Sequence, residues 1–133
     1  MTQQMIRSDR APAPVGPYNQ AVRASGDLVF VAGQIALDPD SAEIVGAGDV
    51  TQQTIRVMKN LEAILEAAGA NWQNVVKTTV FLADMNDFAA MNSVYGQYFE
   101  ASLAPARACV EVARLPKDVL VEIDCIAVID AES

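Results

Sequence analysis

The chain has 133 residues, 52% of them hydrophobic, and a formal net charge of −8. This predicts one compact domain over 1–133 with a real core, and it excludes a disordered chain. The negative charge and the scatter of nine Lys and Arg weigh against nucleic acid, and the lack of histidine removes Ser-His and Cys-His dyads and His-bound metal.

Residues 1–10 read as a poorly structured or edge segment, without the apolar h-region of a signal peptide. Ala11-Pro12-Ala13-Pro14 is the one Pro-rich stretch, and Gly16-Pro17-Tyr18 then leads into a first strand ending near Arg23. Ser25-Gly26-Asp27 is a turn. Leu28 to Ala36 is nearly all apolar and reads as a strand buried on both faces. Glu43-Ile44-Val45 follows as a short third strand.

Asp49 and Gln52 form a capping-box pattern at the start of a helix. Its apolar stripe is Ile55, Met58, Leu61, Leu65 and Ala68, and Gly69 stops it. Val75 to Leu82 is a strand rich in Val and Thr. A second helix begins near Asp84 or Asn86, with Phe88, Met91, Tyr95 and Phe99 facing inward. Arg107 to Val112 and Val119 to Ile129 complete the order β-β-β-α-β-α-β-β, an α+β fold with two helices on one face of a mixed sheet. Leu28-Val29-Phe30-Val31 puts apolar side chains on both faces, so the other face needs a partner, and a second copy of the chain is the simplest one.

Period two sorts the last two strands into faces. Arg107, Cys109 and Glu111 share one face, and Leu120, Glu122, Asp124 and Ile126 share another. Glu122 interrupts an apolar strand, and a carboxylate within a sheet is costly unless paired. On pattern alone three readings stay open: a structural Arg107–Glu122 ion pair, a solvent-facing Glu122, or a catalytic pair. Glu111 and Asp124 read as rim residues. Without a histidine to activate it, Cys109 reads as a pocket-lining thiol, and Cys125 as core. No disulfide framework, membrane span or metal cluster is expected, and a cytoplasmic location follows from that reading.

The stretch Pro105-Ala106-Arg107-Ala108-Cys109-Val110-Glu111-Val112-Ala113-Arg114-Leu115-Pro116-Lys117-Asp118, followed by Val121-Glu122-Ile123, resembles the C-terminal signature of the RidA (YjgF-like) reactive intermediate deaminases. Gly16-Pro17-Tyr18, Ala32-Gly33-Gln34-Ile35, Lys77 to Leu82 and Asn86-Asp87-Phe88 are similar to the family's earlier motifs, so the likeness runs from Ala11 to Val128.

The resemblance implies a chorismate-mutase-like fold, a homotrimer with sites between subunits, and no cofactor. It implies hydrolysis of 2-imino acids and their enamine tautomers to 2-oxo acids and ammonia, which protects pyridoxal-phosphate enzymes from damage. It assigns Arg107 to the substrate carboxylate, Glu122 to the attacking water and Tyr18 to positioning. The backbone amides of Gly33 and Cys109 line the pocket, with Asn92 at its rim. One departure is Ala32, where many relatives carry Ser, so a hydroxyl contact is missing. The alternative reading is a non-enzymatic protein on the same trimer that binds small carboxylates or acts as a chaperone-like factor.

Overall fold

A computed structural model describes residues 3–130. The elements run β1 (Gln3–Ile6), β2 (Ala21–Ala24), β3 (Asp27–Gln34), α1 (Val50–Ala67), β4 (Val75–Leu82), α2 (Phe88–Tyr95), β5 (Ala106–Glu111) and β6 (Val121–Ile129). The order of strands and helices is the expected one, but the third strand is β3 itself. Residues 3–6 supply the extra strand by pairing antiparallel with β2. Glu43–Val45 makes only a single bridge, Ile44 to Leu37, because Asp38 turns the chain by accepting the Asp40 and Ser41 amides.

The main sheet has the order β3-β6-β4-β5. β6 lies antiparallel between β3 and β4, and β5 runs parallel to β4 at the edge. Parallel pairing needs a crossover, and α2 provides it. Both helices pack on one face. There Val121, Ile123, Cys125 and Ala127 of β6 are buried together with Val80 and Leu82 of β4, beneath Met58, Leu61 and Leu65 of α1 and Met91 and Tyr95 of α2.

The stripe of α1 is rotated from the predicted one. Gln53, Thr54 and Val57 are buried, Ile55 is only partly covered and Ala68 is exposed. The rotation brings a polar residue inward because Gln53 has work there. Its Nε2 donates to the Gly46 carbonyl at 3.2 Å and its Oε1 accepts the Leu120 amide at 2.9 Å, tying the loop before α1 to the start of β6. Half of the capping box forms, with Asp49 accepting the Gln52 amide at 3.1 Å while its own amide goes to Gly46. Gly69 adopts φ +79, and the Gly69 and Ala70 amides close back on Glu66 and Leu65, a C-cap that a β-carbon would strain.

The opposite face of the sheet is uncovered. Leu28 is 58% exposed, Phe30 70% and Val110 41%. The β3 strand that reads as buried on both faces is therefore buried on one face in the single chain.

Two stability predictions follow from the core. Gln53→Leu keeps the volume but leaves the Leu120 amide unpaired and removes one of the two hydrogen bonds at the Gly46 carbonyl, and should cost about 1–3 kcal/mol in urea unfolding. Burial pushes the Cys125 thiol up from 9.0 to about 12 and the Tyr95 hydroxyl up from 10.0 to about 12. Both groups ionise earlier in the unfolded chain. Their stabilisation is therefore complete below the unfolded values and lost as pH rises from 9.0 towards about 12. The urea midpoint should fall between about pH 8 and about pH 11, and Cys125→Ala should flatten the first part of that fall.

Candidate functional site

Arg107 stands on the edge strand β5 with its side chain on the helix-covered face, level with buried Thr78 of β4. Three rings surround its guanidinium carbon. The Tyr95 ring centroid lies at 4.8 Å, Tyr18 at 5.4 Å and Phe88 at 5.5 Å. Such contacts favour a cation that is partly stripped of water. Its Nη1 donates to the Asn92 Oδ1 at 2.6 Å. Among the described residues no carboxylate pairs with it, and the ion pair present is Arg114 with Asp118 on the surface.

The loop that precedes β2 builds one wall. Gln20 holds that loop by accepting the Ser8 amide at 2.6 Å and donating to the Pro12 carbonyl at 2.7 Å. The Tyr18 amide closes a tight turn on the Gly16 carbonyl, and its hydroxyl accepts the Val15 amide at 3.3 Å. The rigid turn expected at Gly16-Pro17-Tyr18 is present, and it presses the Tyr18 ring against Arg107. Val15, Tyr18, Phe88, Arg107 and Cys109 line a cavity of about 190 Å³. Burial raises the Cys109 thiol above its ordinary value, against a weaker downward pull from Arg107. It is therefore a neutral wall of the pocket and a poor nucleophile.

Glu122 lies elsewhere. It pairs in register with Phe81 of β4, whereas Arg107 pairs with Thr78. Those positions differ by an odd number, so the two side chains project from opposite faces of the sheet. A structural Arg107–Glu122 ion pair within one chain is thus ruled out. Glu122 instead sits beside Gly33, where β3 shifts register before Gln34. A β-carbon on Gly33 would run into the Glu122 Oε2, so a side chain there would push the carboxylate from its present place. Asp124 shares this open face, level with Thr79. Glu111 accepts the Met85 amide at 2.8 Å and serves the chain's own loop.

The six residues singled out in the sequence therefore form two clusters. Tyr18, Asn92, Arg107 and Cys109 make a cation pocket under the helices, with half-buried Asn92 in direct contact with the guanidinium. Gly33 and Glu122 make a carboxylate shelf on the uncovered face. Phe88 and Tyr95 read as helix-core residues, and nothing in their spacing marked them as neighbours of Arg107. Val15 carries no sequence signal beyond its place in the Pro-rich loop. The described residues hold no group of three or more His, Cys, Asp or Glu suited to a metal ion, and no helix long and apolar enough to cross a membrane.

A family model described as endoribonuclease L-PSP matches residues 8–129. A RutC family protein of Synechocystis is 65% identical over 129 residues, covering 97% of this chain and 98% of that one. The mouse 2-iminobutanoate/2-iminopropanoate deaminase is 49% identical, covering 93% of this chain and 90% of its own. The crystal structure of Escherichia coli TdcF with bound serine superposes with a TM-score of 0.72 at 45% identity, over 96% of this chain and 99% of the other. By fold, by motif and by these likenesses, the chain belongs to the endoribonuclease L-PSP family, the group that includes RidA and YjgF.

Proposed function

We propose that the protein is an imine and enamine deaminase that hydrolyses small 2-imino acids, 2-iminobutanoate and 2-iminopropanoate among them, to 2-oxo acids and ammonia. The observation that carries this reading is the separation of Arg107 and Glu122 onto opposite faces of a sheet whose open face exposes Leu28 and Phe30. A guanidinium without an anion and a carboxylate without a cation are complementary halves. They can meet only when the open face of one copy covers the edge of another. A cyclic homotrimer, as in the family resemblance, repeats that contact three times and leaves no open face.

In the shared site Arg107 binds the substrate carboxylate, and Tyr18 and Phe88 wall the side chain. Glu122 of the neighbouring copy orients a water and takes its proton. The water oxygen adds to C2 of the protonated imine and gives a tetrahedral amino alcohol. Glu122 returns its proton to the nitrogen, collapse to the C=O breaks the C–N bond and expels ammonia, and the hydroxyl proton passes back to Glu122, from which it leaves on ammonia as ammonium. A protonated imine is already electrophilic, so positioning and one base suffice, without histidine, metal or organic cofactor. The name of the mouse relative supports this substrate class. Serine in the TdcF structure is an amino acid whose carboxylate and amine match the groups discussed here. The ribonuclease description of the family fits this chain poorly, because a net charge of −8 repels a phosphate backbone.

A carboxylate-binding protein without turnover is the second reading, since the Arg107 pocket is complete within one chain. Glu122 separates the two. Glu122→Gln should lower turnover about 10²–10⁴-fold while 2-oxobutanoate still binds. A rate close to the parent's would transfer the base role to another group, Tyr18 first. Arg107→Ala should lose about 2–4 kcal/mol of carboxylate binding, and Arg107→Lys should recover little of it.

The shared site has its own test. Arg107→Ala and Glu122→Gln, each nearly inactive, should regain activity when unfolded, mixed in equal amounts and refolded together, because about one site in four then carries both groups. No recovery in mixed trimers verified by sedimentation would place both groups in the same chain's site. A stable monomer at micromolar concentration would remove the shared site altogether.

A further inference from the structure

A long cation that must present a flat edge to a carboxylate needs its plane fixed, and four bonds of free rotation work against that. On the helix-covered face three rings and one amide oxygen surround the Arg107 guanidinium. The Tyr95 ring is the nearest of its aromatic neighbours, at 4.8 Å from the guanidinium carbon. That ring is itself fixed. Tyr95 is fully buried, and its hydroxyl shares a 2.7 Å hydrogen bond with the Thr78 hydroxyl, which is buried too. Thr78 is the residue of β4 directly beside Arg107 of β5. Strand, helix and strand thus close a triangle, Thr78–Tyr95–Arg107, with the cation at its open corner. From the same helix, three residues before Tyr95, Asn92 takes an Nη1 hydrogen at 2.6 Å. The Nη2 group points at Gly16, where a β-carbon would lie 3.4 Å away, and has no protein acceptor among the described residues.

We propose that Tyr95 is a positioning residue of the substrate site: its ring, anchored by Thr78 and assisted by Asn92, sets the plane of the Arg107 guanidinium so that the Nη2 side faces the substrate carboxylate. The inference rests on the carboxylate role given to Arg107 above. It assigns a task to a buried tyrosine that the hydrolysis itself does not use. The hydroxyl cannot act as an acid or base at neutral pH, since burial holds its pKa at about 12. What it supplies is an uncharged π-face in a fixed place, and the Thr78 bond prevents that face from turning away.

The consequence for kinetics is specific. The Arg107–carboxylate contact exists both in the bound substrate and in the transition state, so weakening it acts on KM and leaves kcat alone. The test uses the full chain, with 2-oxobutanoate titrated by calorimetry and 2-iminobutanoate generated in situ for turnover. Tyr95→Met, which fills the space with a flexible apolar side chain, should raise both Kd and KM about five- to twentyfold, with kcat within about twofold of the parent. Tyr95→Phe keeps the ring wedged against Phe99, 4.9 Å away between centroids, but loses the Thr78 anchor, so its Kd and KM should fall between those of Tyr95→Met and the parent. Phe99→Leu is the control for packing: it should lower Tm without changing Kd.

An unchanged Kd in Tyr95→Met overturns the proposal, and so does an equal rise in Phe99→Leu, which would mean that general packing sets the affinity. Should Tyr95→Met fail to fold, Asn92→Ala at its half-buried helix position decides, with a rise in Kd of about fivefold expected and a parental Kd overturning the clamp. Failure of the parent protein to bind 2-oxobutanoate at all would be a different result. It removes the carboxylate role of Arg107, and the proposal with it.

Discussion

The alternation of side chains along β4 and its two neighbours is the constraint on which the rest depends. β4 lies between β5 and β6, so one strand sets the register of both Arg107 and Glu122. Because the registers differ by an odd number, the cation falls under the helices and the anion falls on the bare face. A one-residue slip of either strand would bring the charges to the same face, where they could neutralise each other inside the chain. The helices resist that slip, since it would also turn Val121, Ile123 and Cys125 away from the core. Packing of the apolar face thus keeps the two charges apart.

Keeping an unpaired guanidinium half-buried is expensive, and the surroundings of Arg107 offset that cost without cancelling the charge. Three aromatic faces and one amide oxygen interact favourably with it, and none is an anion that a ligand would have to displace. Glu122 is treated in the opposite manner. It lies across from Phe81 of β4 and rests against Gly33, where a side chain would displace it. The cation is caged, whereas the anion is set on a shelf and left open towards the next molecule.

Much of this was legible in the sequence, because alternation and helical spacing are local properties. Period two placed Arg107 with Cys109 and Glu122 with Asp124, and the apolar outer residues of β3 announced an uncovered face. The partnership of strands was not legible. Nothing local to Arg107–Val112 reveals that it pairs parallel with β4 and not antiparallel with β6, so an Arg107–Glu122 ion pair remained open until the sheet order was known. The same limit hid Tyr95 and Phe88. Their spacing marks an inward stripe, but what they face depends on which strand α2 crosses. In α1 the burial of Gln53 defeated a purely apolar stripe, since a polar residue with two backbone partners competes with an isoleucine for the inner position. Residues 3–6 became a strand because β2 offered a free edge, while Glu43–Val45 lost its chance to the turn at Asp38.

The place of β6 in the sheet governs the order in which the molecule can be assembled during synthesis. β6 is the strand made after all the others described, yet it is the one that joins β3 to β4. Until residues 121–129 have left the ribosome, β3 has no neighbour in the main sheet, and the layer beneath α1 lacks its middle. The helices can form early, since their contacts are local, but they have no complete surface to close upon. The decisive step of folding therefore waits for β6 to emerge. Within the main sheet β3 is made first, and until β6 arrives its run Leu28, Val29, Phe30 and Val31 is an unpaired apolar edge open to wrong pairing.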